Sequence, residues 1–171
     1  MATNIANLKK IAKGASIGFI GLFLSKLFTY LYRILLARLG PDKYGTFSLG
    51  LAIFGFITAI SLLGIENGVV RFTSYFKGKK DPAKIKGVIN FALRTTVLMS
   101  LFLASLAFLF SNTFSSLFHN PNLGPIIKIF AIATPLYTIY RVYTSALRGL
   151  QRIDYETWIV IFVENLGKLV L

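Results

Sequence analysis

Four ionisable side chains stand where charge is expensive. Lys26, Arg33, Arg141 and Glu164 each lie inside a long apolar stretch. A charge at membrane depth costs ~2.5–3.5 kcal/mol even on insertion scales, so each calls for a partner, a water-filled space or a ligand. Lys26 and Arg33 are seven residues apart, about 20° from eclipsed on a helix, and Tyr30 falls between them on the same face. An ammonium, a phenol and a guanidinium on one face form a donor surface suited to an anion. Arg33 can snorkel toward an interface, whereas Lys26 lies nearer the middle of its stretch and has less opportunity to do so. Arg141 and Glu164 lie at matching depth, each about seven residues into its own run from the same side, or ~10 Å below the surface. An ion pair between neighbouring helices is the economical reading, structural as readily as functional.

The usual catalytic arrangements are missing. His119 is the single histidine, beside Asn120, with no carboxylate near it in sequence, and there is no cysteine. No Gly-rich phosphate loop opens a helix, and neither a P-loop nor H-E-x-x-H occurs. The expectation is a non-enzyme, with no metal site and no cofactor.

The elements that must position the four charges are apolar spans. The chain has 171 residues, of which 55% are hydrophobic and 15% charged, and its mean hydropathy is +0.68. Soluble domains average ~45–50% apolar and ~25% charged, so the composition belongs with membrane proteins. Residues 44–65 carry no charge, and 22 residues at helical rise cover ~33 Å, enough for a ~30 Å hydrocarbon core. The predicted spans are 14–37, 44–65, 88–110, 124–147 and 157–171. The last ends in apolar sequence at Leu171, which reads as a truncated helix. Lys9, Lys10 and Lys13 precede the first span as in a signal peptide, but the apolar run continues without a small-residue exit, so it reads as an uncleaved helix. The fold class is therefore all-α membrane protein with about five transmembrane helices and no soluble domain.

Net charge is +13, and its placement reports topology. The N-terminal tail, the segment 66–86 and the segment 148–156 hold Lys9, Lys10, Lys13, Arg71, Lys77, Lys79, Lys80, Lys84, Lys86, Arg148 and Arg152. The opposite side holds Arg38, Lys43 and Lys128. Eleven basic residues against three predicts a cytoplasmic N-terminus in the cell membrane. With the charges so assigned, no basic face with interleaved aromatics remains for nucleic acid. Val69, Val70, Phe72 and Phe76 alternate with Arg71, Lys77, Lys79 and Lys80, which fits either a short amphipathic helix in the headgroup plane or a solvated basic loop. Pro135 predicts a kink in the fourth span. The Thr134, Tyr137, Thr138, Tyr140, Tyr143 and Thr144 series on that span suits a hydrated cavity better than lipid.

Three motifs carry a family resemblance. Arg33-Ile-Leu-Leu-Ala-Arg38-Leu-Gly40-Pro41-Asp-Lys-Tyr44-Gly45 closes the first hairpin, Leu63-Gly64-Ile65-Glu-Asn-Gly68-Val-Val-Arg71-Phe72 ends the second span, and Ala146-Leu-Arg148-Gly149-Leu150-Gln-Arg152 ends the fourth. In order and spacing they resemble the N-terminal region of polysaccharide biosynthesis membrane proteins, the O-antigen-type flippases of the multidrug/oligosaccharidyl-lipid/polysaccharide exporter superfamily. The resemblance implies two six-helix lobes around a central cavity, alternating access, and transport of a lipid-linked oligosaccharide to the outer leaflet. It also implies three partners: the lipid bilayer, an anionic lipid-linked sugar and a C-terminal lobe missing from this chain. The basic and phenolic groups of the spans, Lys26, Tyr30, Arg33 and Arg141, are the candidate contacts for the anionic headgroup of that sugar. Cation-coupled drug exporters of the same superfamily need acidic groups in the lumen, and the first four predicted spans hold no Asp or Glu. A drug exporter is thus the second reading, and a non-transporting membrane scaffold the third.

Overall fold

The structure, a computed structural model, describes residues 2–38, 40–152 and 159. It is all helix: α1 (Ala2–Ala37), α2 (Pro41–Leu62), α3 (Ile65–Gly78), α4 (Pro82–Leu109), α5 (Ser111–Leu117) and α6 (Leu123–Gly149). No strand occurs among the described residues. Four stretches are long and apolar enough to cross a membrane: Phe19–Ala37, Pro41–Leu62, Pro82–Leu109 and Leu123–Gly149. At 28 and 27 residues, α4 and α6 extend ~40 Å, so both project beyond a ~30 Å hydrocarbon core. Of the fifth predicted span, 157–171, only Ile159 is among the described residues.

The packing is that of a bundle solvated by lipid. The buried face of α4 is Ala92, Thr96, Ser100, Ala104 and Ala107, a stripe of small residues at helical spacing. Its large side chains point outward, with Leu98 70% and Leu109 73% exposed. Apolar tails compete with apolar side chains, so close approach of backbones drives association where hydrophobicity cannot. Gly50 of α2 serves that end: a Cβ there would lie 3.1 Å from the Phe130 ring and closer still to Ile126. α6 is the hub, parallel to α2 and α3 and antiparallel to α4, which itself packs against both α2 and α3. α1 stands apart, docked mainly on α2.

Local sequence explains the joints. Gly40 takes φ 97° before Pro41 opens α2, the conformational freedom that only glycine supplies cheaply. Leu63 and Gly64 are both left-handed, at φ 49° and 70°, and this break separates α2 from α3. α3, α5 and α6 each end with paired carbonyl contacts around a left-handed residue, respectively Lys80, His119 and Gln151, the Schellman arrangement. Asp81 caps α4 by accepting from the Lys84 amide at 3.1 Å. The helix α6 runs through Pro135 without ending.

The ends of the bundle are sorted. The Asn120 amide donates to Thr46 Oγ1 at 2.6 Å, joining the loop after α5 to the start of α2. At the opposite end, Lys77 Nζ donates to the Leu150 carbonyl at 2.6 Å, joining the end of α3 to the end of α6.

Candidate functional site

The most developed polar cluster joins α3 to the second half of α6. The left-handed pair Leu63 and Gly64 turns the chain so that Glu66 falls in the first turn of α3, where a carboxylate complements the helix N-terminus. Arg141 Nε donates to Glu66 Oε1 at 2.7 Å and its Nη2 donates to Oε2 at 3.1 Å. Such a two-pronged contact is the geometry a guanidinium fork is built for. Side-chain exposures of 37% and 23% place the pair partly out of water. One turn further, Val69 and Thr73 are buried, and Thr73 returns its hydroxyl proton to the Val69 carbonyl at 2.6 Å. Then Gly149 comes so near that an added Cβ would collide with Thr73 Oγ1 and lie 2.7 Å from the Val70 carbonyl oxygen. Ser74 donates to the Gly149 carbonyl at 2.8 Å. With Lys77 on Leu150, α3 thus satisfies carbonyls that the end of α6 leaves without helical donors. The segment 66–78, open in sequence between an interfacial helix and a solvated loop, is a helix clamped to α6.

The donor face of α1 is elsewhere. Lys26, Tyr30 and Arg33 are all exposed, with no carboxylate contact among the described residues. Tyr32, roughly 100° around the helix from Arg33, docks edge-on against Phe47 of α2 at 6.0 Å. From there aromatic rings continue through Phe130, Phe54 and Tyr137 to Tyr140, each 5.2–5.8 Å from the next. This ladder connects α1 to the residue beside Arg141 but does not bring Lys26 and Arg141 together.

The remaining candidates are structural in their surroundings. Arg38, Gly40, Pro41, Tyr44 and Gly45 surround the turn between α1 and α2, and Gly64 with Arg71 belongs to the joint and exposed side of α3. Arg148 is exposed in the last turn of α6, beside the buried Gly149. His119 is the left-handed residue after α5. Glu164 lies outside the described residues, and one partner that the structure gives Arg141 is Glu66. Sequence reasoning missed Glu66 because it read as the polar boundary of a span. The signal was available, since Glu66 and Arg141 both lie toward the C-terminal ends of the second and fourth predicted spans. Arg94, exposed within α4, also went unread. The threonines of α6 differ from expectation as well: Thr134 and Thr138 are fully buried and donate to the Phe130 and Pro135 carbonyls at 2.8 and 2.9 Å. Their hydroxyls serve helix packing, not a hydrated surface. Among the described residues no cluster of His, Cys, Asp and Glu could hold a metal.

A bundle of membrane-length helices fits a membrane transporter, and the sequence profile of the MatE family matches residues 19–170. The chain belongs to the MatE family. MatE proteins are membrane transporters of the multidrug/oligosaccharidyl-lipid/polysaccharide exporter superfamily, not enzymes. No curated protein and no solved structure matches this MatE chain.

Proposed function

We propose that this MatE chain belongs to a flippase that moves a lipid-linked oligosaccharide across the cell membrane for surface-glycan synthesis. The observation that carries this reading is the state of the charges. The acid nearest the inner ends of the described spans, Glu66, is already bound through both oxygens by Arg141. Lys26 and Arg33 remain exposed on α1. An ammonium held at depth without a carboxylate is costly, and an anionic ligand such as a lipid diphosphate offsets that cost. A cation-coupled drug exporter needs the reverse balance, a free carboxylate facing the lumen. In this reading the N-terminus and the ends of α3 and α6 face the cytoplasm, supported by eleven basic residues against three. The partners are the bilayer, the lipid-linked sugar and a second lobe.

The test uses proteoliposomes of the complete gene product with a fluorescent diphosphate-linked oligosaccharide lipid, beside a cationic dye. Movement of the lipid, lost in Lys26→Ala and partly kept in Lys26→Arg at equal folded yield, supports the flippase. Dye efflux without lipid movement, or an alanine variant that transports the lipid normally, overturns it.

A further inference from the structure

Between α3 and α4, on the side away from α6, runs an open groove of about 560 Å³. That volume lies within the range of small-ligand sites. Each helix contributes one stripe, with Gly68, Phe72 and Phe76 from α3 facing Lys84, Gly87 and Phe91 from α4. Val69 forms part of the floor and is buried, whereas Phe72 and Phe91 stand as walls at 50% and 70% exposure. The width comes from the two glycines, since an added Cβ at Gly68 or Gly87 would meet nothing within 4 Å. All the walls are apolar except at one end. There Lys84 holds its ammonium 5.7 Å from the Phe76 ring centre and 3.3 Å from Asp81 Oδ2.

The position of that end identifies the occupant. α4 begins at Pro82 and is about 12 Å longer than a ~30 Å hydrocarbon core, which leaves Lys84 and Gly87 at headgroup level when Leu109 marks the far boundary. The groove then descends from a cationic mouth into hydrocarbon along Phe72 and Phe91. Lys84 lines the mouth, and Lys79, Lys80 and Lys86 lie within five residues of it in the chain, opposed locally by Asp81. We infer that this groove is a binding site for one anionic glycerophospholipid of the inner leaflet, an acyl chain lying between the glycines and the phosphate at Lys84. The charge at the mouth selects an anionic headgroup over a zwitterionic one, and each nearby lysine adds about 1 kcal/mol of attraction to an anionic lipid surface. The apolar walls bury methylenes that a free phosphate lacks. A lipid seated there would brace α3 from the side opposite the Arg141 contact. The inference does not depend on which substrate is transported.

Native mass spectrometry of the detergent-purified chain tests it, with phosphatidylglycerol and phosphatidylcholine of identical acyl chains as probes. The expected result is one retained phosphatidylglycerol, favoured over phosphatidylcholine. Lys84→Gln should lower that preference about fivefold. Gly68→Leu with Gly87→Leu fills the groove from two positions where a Cβ meets nothing within 4 Å and should weaken retention by more than about tenfold, while Gly55→Leu, equally open at its Cβ but on α2, should leave it unchanged. Equal retention of both lipids, or full retention by the filled variant, overturns the site. If the filled variant does not fold, a benzophenone photocrosslinker placed at Phe72 in the otherwise native chain gives the second readout. A phosphatidylglycerol adduct supports the inference, and adducts only to protein, from a second copy or another segment, overturn it.

Discussion

Arg141 grips Glu66 through both carboxylate oxygens, tying the first turn of α3 to α6 across 75 positions of sequence. Removing either partner leaves a half-desolvated charge. A fully buried pair broken in this way loses ~3–5 kcal/mol, and the partial exposure of this one reduces the expectation to about 1–3 kcal/mol. Glu66→Gln and Arg141→Ala should each lower the midpoint of denaturant unfolding in detergent. The charge swap Glu66→Arg with Arg141→Glu should recover part of the loss, as coupled residues do in a double-mutant cycle.

Gly149→Ala isolates the contact of α6 with α3. On propensity alone, alanine in a helix gains about 1 kcal/mol over glycine. Here the new methyl group meets Thr73 and the Val70 carbonyl, and backbone does not yield easily, so overpacking of about 1–3 kcal/mol dominates. Gly68→Ala enters open space and should stabilise slightly. Opposite signs for the two substitutions in thermal unfolding are the expected outcome.

Sidedness is accessible because the sequence contains no cysteine. A cysteine replacing Asn120 should react with an impermeant maleimide applied to intact cells. One replacing Lys79 should react only after the membrane is opened. The reverse pattern would invert the topology.

The cap on α4 gives a pH signature. Acceptance of the Lys84 amide, followed by contact with the Lys84 ammonium, holds the Asp81 carboxyl below its ordinary value of 3.8. A depressed folded value means that the cap contributes fully above pH 3.8 and is lost as pH falls through the folded value. A carbon-detected NMR titration should show the Asp81 midpoint below that reference. The Lys84 amide shift should follow the same midpoint, and Asp81→Asn should abolish that response.

The four long helices were legible because uninterrupted apolar length is a one-dimensional property. Residues 44–65 need no partner to be recognised as a span, and α2 occupies Pro41–Leu62. The clamp was illegible for the opposite reason. Glu66 and Arg141 are ordinary near span boundaries, and only the turn at Leu63 and Gly64 aims one at the other. The short helix α5 offers too few turns to show a periodic face. For Thr134 and Thr138, sequence supplied the hydroxyl but not its acceptor. A threonine that returns its proton to its own helix looks the same, letter by letter, as one that faces water.

The central place of α6 also sets a timetable. Ribosomes add roughly 5–20 residues per second, and α3 ends 71 residues before Gly149. The amphipathic segment that α6 clamps must therefore wait roughly 4–14 s after its own synthesis for the surface that receives it. During that interval Glu66 has no Arg141, Thr73 has no Gly149, and the small-residue face of α4 has no α6 to cover it. A nascent chain arrested just before Arg141 should thus present a loosely associated set of helices open to chaperones and proteases. One arrested well past Leu150 should have closed.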